Sequence, residues 1–195
     1  MLGETIVAVT FGLGHVEWQW STSIAGAFGM LLAAGIWWLH CDNLDGFVVR
    51  RRGQKTDWRP TIWIYSHLPL AIGLAMTGVG VEHAIIAADH SHEYHLDERW
   101  VLVGGMALAF AAMTFISIAS LRPESEIVGK RVVINRAVGT VVILLVGVMA
   151  FMGPVVTIGA LLIICGIAIL VDYLARSVNL EAAPSDQPAS SDLEE

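Results

Sequence analysis

Long apolar runs separated by short polar stretches dominate the pattern of hydrophobic and polar positions along the chain. Five runs are long enough to cross the roughly 30 Å hydrocarbon core of a bilayer as helices, and a sixth, at the start, is shorter. All six are apolar around most of the helix circumference, which is typical of helices surrounded by lipid or by other helices. The pattern therefore predicts an all-α fold, a polytopic membrane helix bundle of about six transmembrane segments with a short first one. The predicted segments are Leu2–Leu13, Ser23–His40, Thr61–Ile86, Trp100–Leu121, Val132–Met152 and Pro154–Ala175.

The composition agrees with a protein whose main partner is the lipid bilayer. Of the 195 residues, 55% are hydrophobic and 15% are charged, and the mean hydropathy is +0.66. Soluble domains carry about 25% charged residues. The chain has no basic patch of the kind that binds nucleic acid, no phosphate-binding loop and no cysteines at metal-ligand spacing. We therefore expect no nucleic-acid partner and no cofactor.

The basic residues are distributed unevenly between the two ends of the predicted segments. Ten of the eleven Lys and Arg residues fall in loops 41–60 and 122–136 or just after the last segment, and only Arg99 falls in the opposite loops. We expect the protein to lie in the cell membrane. The positive-inside rule then predicts that these two loops and both termini lie in the cytoplasm. We expect residues 1–176 to form the transmembrane helical domain and residues 177–195 to form a disordered acidic cytoplasmic tail.

The third segment carries ionisable residues, which are costly inside a membrane and are therefore functional candidates. His67 is followed by Pro69, which lacks the N–H that would bond the carbonyl four residues earlier, at Tyr65, so this carbonyl and the imidazole could bind a proton or a cation. On the same helix stripe, Glu82 lies near the outer end. The alternative is that the stripe only packs against a neighbouring helix through small residues. These small residues are Gly73, Thr77 and Gly80.

Other polar groups give weaker signals. Asp42 lies at the inner end of the second segment, where it could pair with the basic loop or stand at the mouth of a pathway. Asp172 is expected to pair with Arg176, four residues later on the same helix face. The outer loop "DHSHEYHLDE" contains imidazoles and carboxylates, which can bind divalent metals; a solvated polar loop is the favoured alternative. The candidate metal ligands are His90, His92 and His95.

Three motifs occur in order along the chain: "LGETIVAV" at 2–9, "WWLHCD" at 37–42 and "YSHLPLAIG" at 65–73. Two apolar segments joined by a Gly-Pro turn follow them. This ordered set resembles the bacterial low temperature requirement protein A family, and the resemblance covers nearly the whole chain up to about residue 176.

The resemblance implies roles for single residues. It places Glu4 inside a membrane helix, sets the Trp-Trp pair before Asp42, and sets His67 two residues before Pro69. Where family members usually have Tyr-Phe or a similar pair, this chain has His40 and Cys41. The resemblance also implies that the chain corresponds to the C-terminal half of family members, so a separate N-terminal half or a second copy of the chain could be a partner.

Three functions fit these residues. The first is a transport or permeation module in which Glu4, His67 and Glu82 line a polar path. The second is a structural or regulatory membrane protein, or an inactive fragment, in which the polar groups only hold helices together. The third and least favoured is a membrane enzyme that uses the outer loop as a metal site, so a non-enzyme is more expected than an enzyme. The resemblance supplies no biochemical activity that decides between them.

Overall fold

The computed structural model describes residues 2–41, 58–89, 94–121, 126–149 and 151–181. Within these ranges every regular element is a helix, which confirms the all-α prediction. The helices are α1 (Leu2–Gly14), α2 (Trp20–Cys41), α3 (Arg59–Tyr65), α4 (His67–Ala87), α5 (Leu96–Ala119), α6 (Glu126–Val148) and α7 (Pro154–Glu181).

Five segments of the described chain are long and apolar enough to cross a membrane. They are Trp20–Cys41, Arg59–Ala87, Leu96–Ala119, Gly129–Val148 and Pro154–Ala175. A shorter apolar helix, Thr5–Gly14, precedes them. The predicted membrane helix bundle, with a short first segment, is therefore confirmed.

Helices α6 and α7 differ most from the predicted segments. The fifth predicted segment is shifted, because α6 begins at Glu126 and ends at Val148. The first turns of α6 are polar but contain no Pro, so they are helical although they lie before the apolar run. The hydrophobic pattern alone therefore places the start of this helix too late, at Val132. At the other end of the chain, α7 continues through Glu181. The rest of the predicted tail, residues 182–195, lies outside the described residues.

Helices α3 and α4 together make one crossing of 29 residues. Pro60 occupies the first turn of α3, where the missing N–H costs nothing. The regular helix is interrupted at Ser66, where Pro69 provides no N–H for the carbonyl of Tyr65. The Leu70 N–H still donates to the Ser66 carbonyl at 3.2 Å, so the chain continues across the interruption without a loop.

Glycines allow α4 to pack directly on the backbone of α5. A Cβ atom on Gly73 would lie 2.7 Å from the carbonyl oxygen of Gly105, and one on Gly105 would lie 2.6 Å from the nitrogen of Thr77. A Cβ atom on Gly80 would lie 2.6 Å from the Cβ of Leu102. Such distances are too short for any other residue. The small residues of this segment therefore form a helix contact, as the alternative interpretation expects; this packing does not test whether His67 and Glu82 have a further role.

The remaining helices surround this central pair. Helix α1 packs against α4 and α2, α2 packs against α7, and α6 packs against α5 and α7. In the most apolar part of α5, 61% of the residues are buried, but only 28% are buried in α6 and in α7. Helices α6 and α7 therefore present wide apolar faces to the surroundings, as expected for a bundle in lipid.

Candidate functional site

A salt bridge between Arg136 of α6 and Asp172 of α7 is buried inside the bundle. The Nη2 atom of Arg136 lies 3.0 Å from Oδ2 of Asp172, and the two side chains are 1% and 2% exposed. The candidate span of α6 is Gly129–Val148, and Arg136 lies about 8 Å along the helix beyond the exposed Arg131. Charged groups at such a depth are rare and costly unless they are paired and hydrogen-bonded. The pair is therefore the strongest candidate for a functional site.

Arg136 also connects the salt bridge to α2 and α5. Its Nη2 atom donates to the Leu39 carbonyl at 2.9 Å, and its Nη1 atom lies 3.0 Å from the sulfur of Met113. The preceding residue, Asn135, donates through Nδ2 to Oδ1 of Asp172 and to a backbone carbonyl of α7, both at 2.9 Å. The two oxygens of Asp172 thus accept hydrogen bonds from neighbouring residues of α6.

This arrangement adds a partner for Asp172 and corrects one prediction. Asp172 pairs with Arg136 of the neighbouring helix, whereas the side chain of Arg176, the predicted partner, lies outside the described residues. The sequence predicts Arg136 in the loop 122–136, but α6 begins at Glu126 and carries Arg136 into the bundle. The sequence did contain a signal, because no Pro separates Arg136 from the apolar run that follows it.

Two imidazoles lie at the same end of the bundle. The ring centroids of His40 and His67 are 5.8 Å apart, and the rings meet edge-on at 77°. His40 directly follows Leu39, whose carbonyl accepts from Arg136. The Nδ1 atom of His67 lies 2.6 Å from the carbonyl oxygen of Trp63. Since a carbonyl only accepts, Nδ1 carries the hydrogen, and Nε2 is the nitrogen that can take up a proton.

The imidazole of His67 therefore contacts a different carbonyl from the predicted one. The carbonyl that it binds is that of Trp63, four residues before it, and not that of Tyr65. We refer below to the polar side chains of this end as the inner cluster. The inner cluster consists of His40, His67, Asn135, Arg136 and Asp172.

The other predicted membrane residues do not join the inner cluster. Glu82 is half-buried on α4, fifteen residues after His67, which is about 22 Å along the helix. Between them α4 packs closely on α1, where a Cβ atom on Gly78 would lie 3.4 Å from the Cα of Thr5. Glu4 lies on α1 next to Thr5, but its side chain is outside the described residues.

A second buried arginine, Arg99, joins helix α5 to the connection between α6 and α7 at the opposite end of the bundle. Arg99 of α5 is 3% exposed, and its guanidinium donates to the carbonyls of Met149, at 2.8 Å, and Met152 in the connection between α6 and α7. Its Cζ atom lies 5.4 Å from the centre of the Tyr94 ring. Burial raises the pKa of the Tyr94 hydroxyl above its usual value; the charge of Arg99 opposes this rise and that of Glu98 adds to it. Arg99, expected in a loop, is thus a buried structural cation.

The predicted metal ligands are only partly described. His95 directly precedes α5, and its N–H donates to the carboxylate of Glu98 at 3.2 Å, as at many helix N-termini. His90, His92 and also Asp42 lie outside the described residues. In the parts of the chain that the structure describes, no group of three or more His, Cys, Asp or Glu side chains is placed to hold a metal ion.

Comparison with protein families identifies the chain. The family model described as bacterial low temperature requirement A protein (LtrA) matches residues 1–173. The chain belongs to the LtrA family. The match ends one residue after Asp172, so both partners of the buried salt bridge lie in the part that matches the LtrA family. No curated protein and no solved structure matches the chain.

In this LtrA-family chain, the inner cluster brings together a base, a fixed cation and a carboxylate. His40 and His67 are half-buried and lie near a helix end, whereas Arg136 and Asp172 are enclosed. Imidazole is the side chain whose charge changes most readily near neutral pH. This composition makes the inner cluster the candidate site for the proposal below.

Proposed function

We propose that this LtrA-family protein is a multi-pass transport module of the cell membrane that passes protons through the inner cluster. The observation that carries the proposal is the Arg136–Asp172 salt bridge, which is enclosed within a bundle of membrane helices. Ionisable residues at such positions characteristically line ion pathways and proton relays.

The proposed transfer begins at the imidazoles. His67 takes up a proton at Nε2, because its Nδ1 hydrogen is already donated to Trp63. A charge on His67 or His40 adds to the positive charge of Arg136, and like charges repel strongly in a poorly solvated interior. The repulsion weakens the hold of Arg136 on Asp172 and makes the carboxylate available as the next proton acceptor.

The proposed path continues along α4 towards the other end of the bundle, where the half-buried Glu82 supplies the next ionisable group. We also propose that the protein lies in the bacterial cell membrane with both termini in the cytoplasm. The uneven distribution of Lys and Arg between the loops supports this orientation.

The direct test is proton flux into vesicles that contain the purified protein. A potassium gradient with valinomycin imposes a membrane potential, and an enclosed pH-sensitive dye reports the initial rate. We expect His67→Gln and Asp172→Asn each to lower this rate by about tenfold, which corresponds to about 1.4 kcal/mol in the barrier. Glu82→Gln tests the outer part of the path in the same assay.

The matched control is His83→Gln, which removes an imidazole from the same helix but outside the inner cluster. Its flux should remain that of the unchanged protein. The unfolding temperature of every variant in detergent shows whether the protein remains folded. Unchanged flux in folded His67→Gln and Asp172→Asn variants would rule out the inner cluster as the proton path.

A structural or regulatory membrane protein is the second candidate function. It is favoured by the contacts of Arg136, which join α6 to α2, α5 and α7 as a structural tie would. It predicts no proton flux above that of protein-free vesicles and a loss of stability in the same variants. A metal-dependent enzyme is the third candidate; of its predicted ligands only His95 lies among the described residues.

A further inference from the structure

A groove runs along the outside of the bundle between α6 and α7. It has a volume of about 460 Å³ and opens on the face that these two helices present to the surroundings. Most of its wall is aliphatic, and several of these side chains are well exposed, including Ile134 at 61% and Val138 at 54%. The lining residues are Arg131, Ile134, Asn135, Val138, Val171, Leu174 and Ala175.

The charge along the groove is confined to one end. Arg131 is exposed and lies one helical turn before Asn135, at the end of α6 that begins the span. The lining contains no acidic residue. Asp172, the nearest carboxylate on α7, is enclosed and already paired with Arg136. The groove therefore offers a positive charge at its mouth and a hydrocarbon surface deeper in the membrane.

We propose that this groove binds an anionic glycerophospholipid, with the phosphate at Arg131 and one acyl chain along the aliphatic wall. From Arg131 to Val138 the groove follows α6 for about 10 Å, roughly a third of the hydrocarbon core, so it holds the part of the chain nearest the headgroup. The positive-inside pattern predicts that this end is cytoplasmic, and the cytoplasmic leaflet carries the anionic lipids that attract basic residues.

The bound lipid contacts the inner cluster through Asn135. Both amide hydrogens of Asn135 are donated inwards, to Asp172 and to Ala168, while the same side chain forms part of the groove wall. An acyl chain against Asn135 keeps water away from these bonds and thereby stabilises the salt bridge. The lipid site does not depend on proton transfer, so it stands or falls independently of the proposed function.

The test measures lipid retention by native mass spectrometry of the purified full chain. Equal amounts of dioleoyl phosphatidylglycerol and dioleoyl phosphatidylcholine are supplied, so the acyl chains are identical and only the headgroup charge differs. We expect the anionic lipid to be retained preferentially. Arg131→Gln should reduce its retention by about fivefold, as expected for the loss of one basic residue at a membrane surface, worth about 1 kcal/mol.

Two pairs of variants separate the headgroup from the acyl chain. Lys130→Gln removes the neighbouring positive charge, which does not line the groove, and should have a smaller effect than Arg131→Gln. Val138→Trp fills the groove and should lower retention, whereas Val141→Trp changes an exposed residue outside the groove and should not. Equal retention of the two lipids, or equal effects within each pair, would overturn the proposal. Unfolding temperatures show that the variants are folded.

Discussion

Arg136 of α6 contacts three other helices at one end of the bundle. Its guanidinium contacts α2 at the Leu39 carbonyl, α5 at Met113 and α7 at Asp172. Removing a guanidinium and a carboxylate from water costs several kcal/mol for each ion, which their attraction largely offsets. The intact pair therefore contributes little net stability, but either charge alone would be strongly unfavourable. Because an unpaired charge would be so unfavourable, the pair disfavours any packing of these helices that separates Arg136 from Asp172.

Removing one charge should therefore be far more harmful than removing both. We expect Arg136→Met and Asp172→Leu each to lower the free energy of unfolding by about 3–5 kcal/mol, because the remaining charge stays enclosed without its partner. The double variant should recover most of this loss, since it buries no charge. Denaturant unfolding of the purified protein in detergent measures all three values.

Arg131→Met, measured in delipidated detergent so that loss of the proposed lipid has no effect on stability, serves as the control for this cycle. Arg131 lies five residues earlier on the same helix and is exposed, so its removal should change the free energy of unfolding by no more than about 0.5 kcal/mol. If the double variant loses the sum of the two single losses, Arg136 and Asp172 stabilise the bundle independently, and the explanation by pairing is wrong.

Among the helices, α4 and α5 form the close contact at the centre of the bundle. Gly73 and Gly105 lie opposite each other, and each allows the other's backbone to approach closer than a side chain would permit. In a membrane, where no hydrophobic effect drives helices together, such close packing is a main source of association. The adjacent residue, Gly104, has nothing within 4 Å of a Cβ position and makes no such contact.

Substitution by alanine should lower the stability of the protein at Gly105 but not at the adjacent Gly104. We expect Gly105→Ala to destabilise the protein by about 1–3 kcal/mol, because its methyl group would overlap Thr77 and Met76 and force α4 and α5 apart. Gly104→Ala should be neutral or stabilise by up to about 1 kcal/mol through its better helix propensity. Unfolding temperatures in detergent compare the two. Equal losses in both variants would mean that the close approach at Gly105 carries no energy.

The sequence predicts the elements well and the site poorly, for physical reasons. The helices are encoded by long apolar runs, and the close packing of α4 by its small residues, both of which are local in sequence. The salt bridge joins Arg136 and Asp172, 36 residues apart, and its existence depends on which face of α6 meets α7. The hydrophobic pattern shows that Arg136 and Asp172 each lie near the end of an apolar segment, but it does not show that they contact each other. From the sequence alone, Arg176 on the same helix is therefore the only partner that the spacing suggests for Asp172.

At the scale of the whole molecule, charge and aromatic residues agree on how the bundle lies in a membrane. Trp18 and Trp20 are 81% and 87% exposed at the end where α1 and α2 connect, and Trp58 is 53% exposed at the start of α3, at the opposite end. Tryptophan favours both membrane interfaces. Exposed tryptophans thus lie at both ends of the bundle, and the positive-inside rule predicts which end is cytoplasmic.

The orientation can be tested with a pair of these exposed tryptophans. In a background with Cys41 replaced by alanine, and with Cys165 buried, Trp18→Cys and Trp58→Cys each introduce one accessible thiol. We expect a membrane-impermeant maleimide to label Trp18→Cys in intact cells and to label Trp58→Cys only after the inner membrane is permeabilised, because basic loops stay in the cytoplasm. The reverse pattern would place the basic loops, the inner cluster and the mouth of the groove outside the cell. Labelling of both variants in intact cells would contradict a membrane-spanning bundle in which Trp18 and Trp58 mark opposite ends.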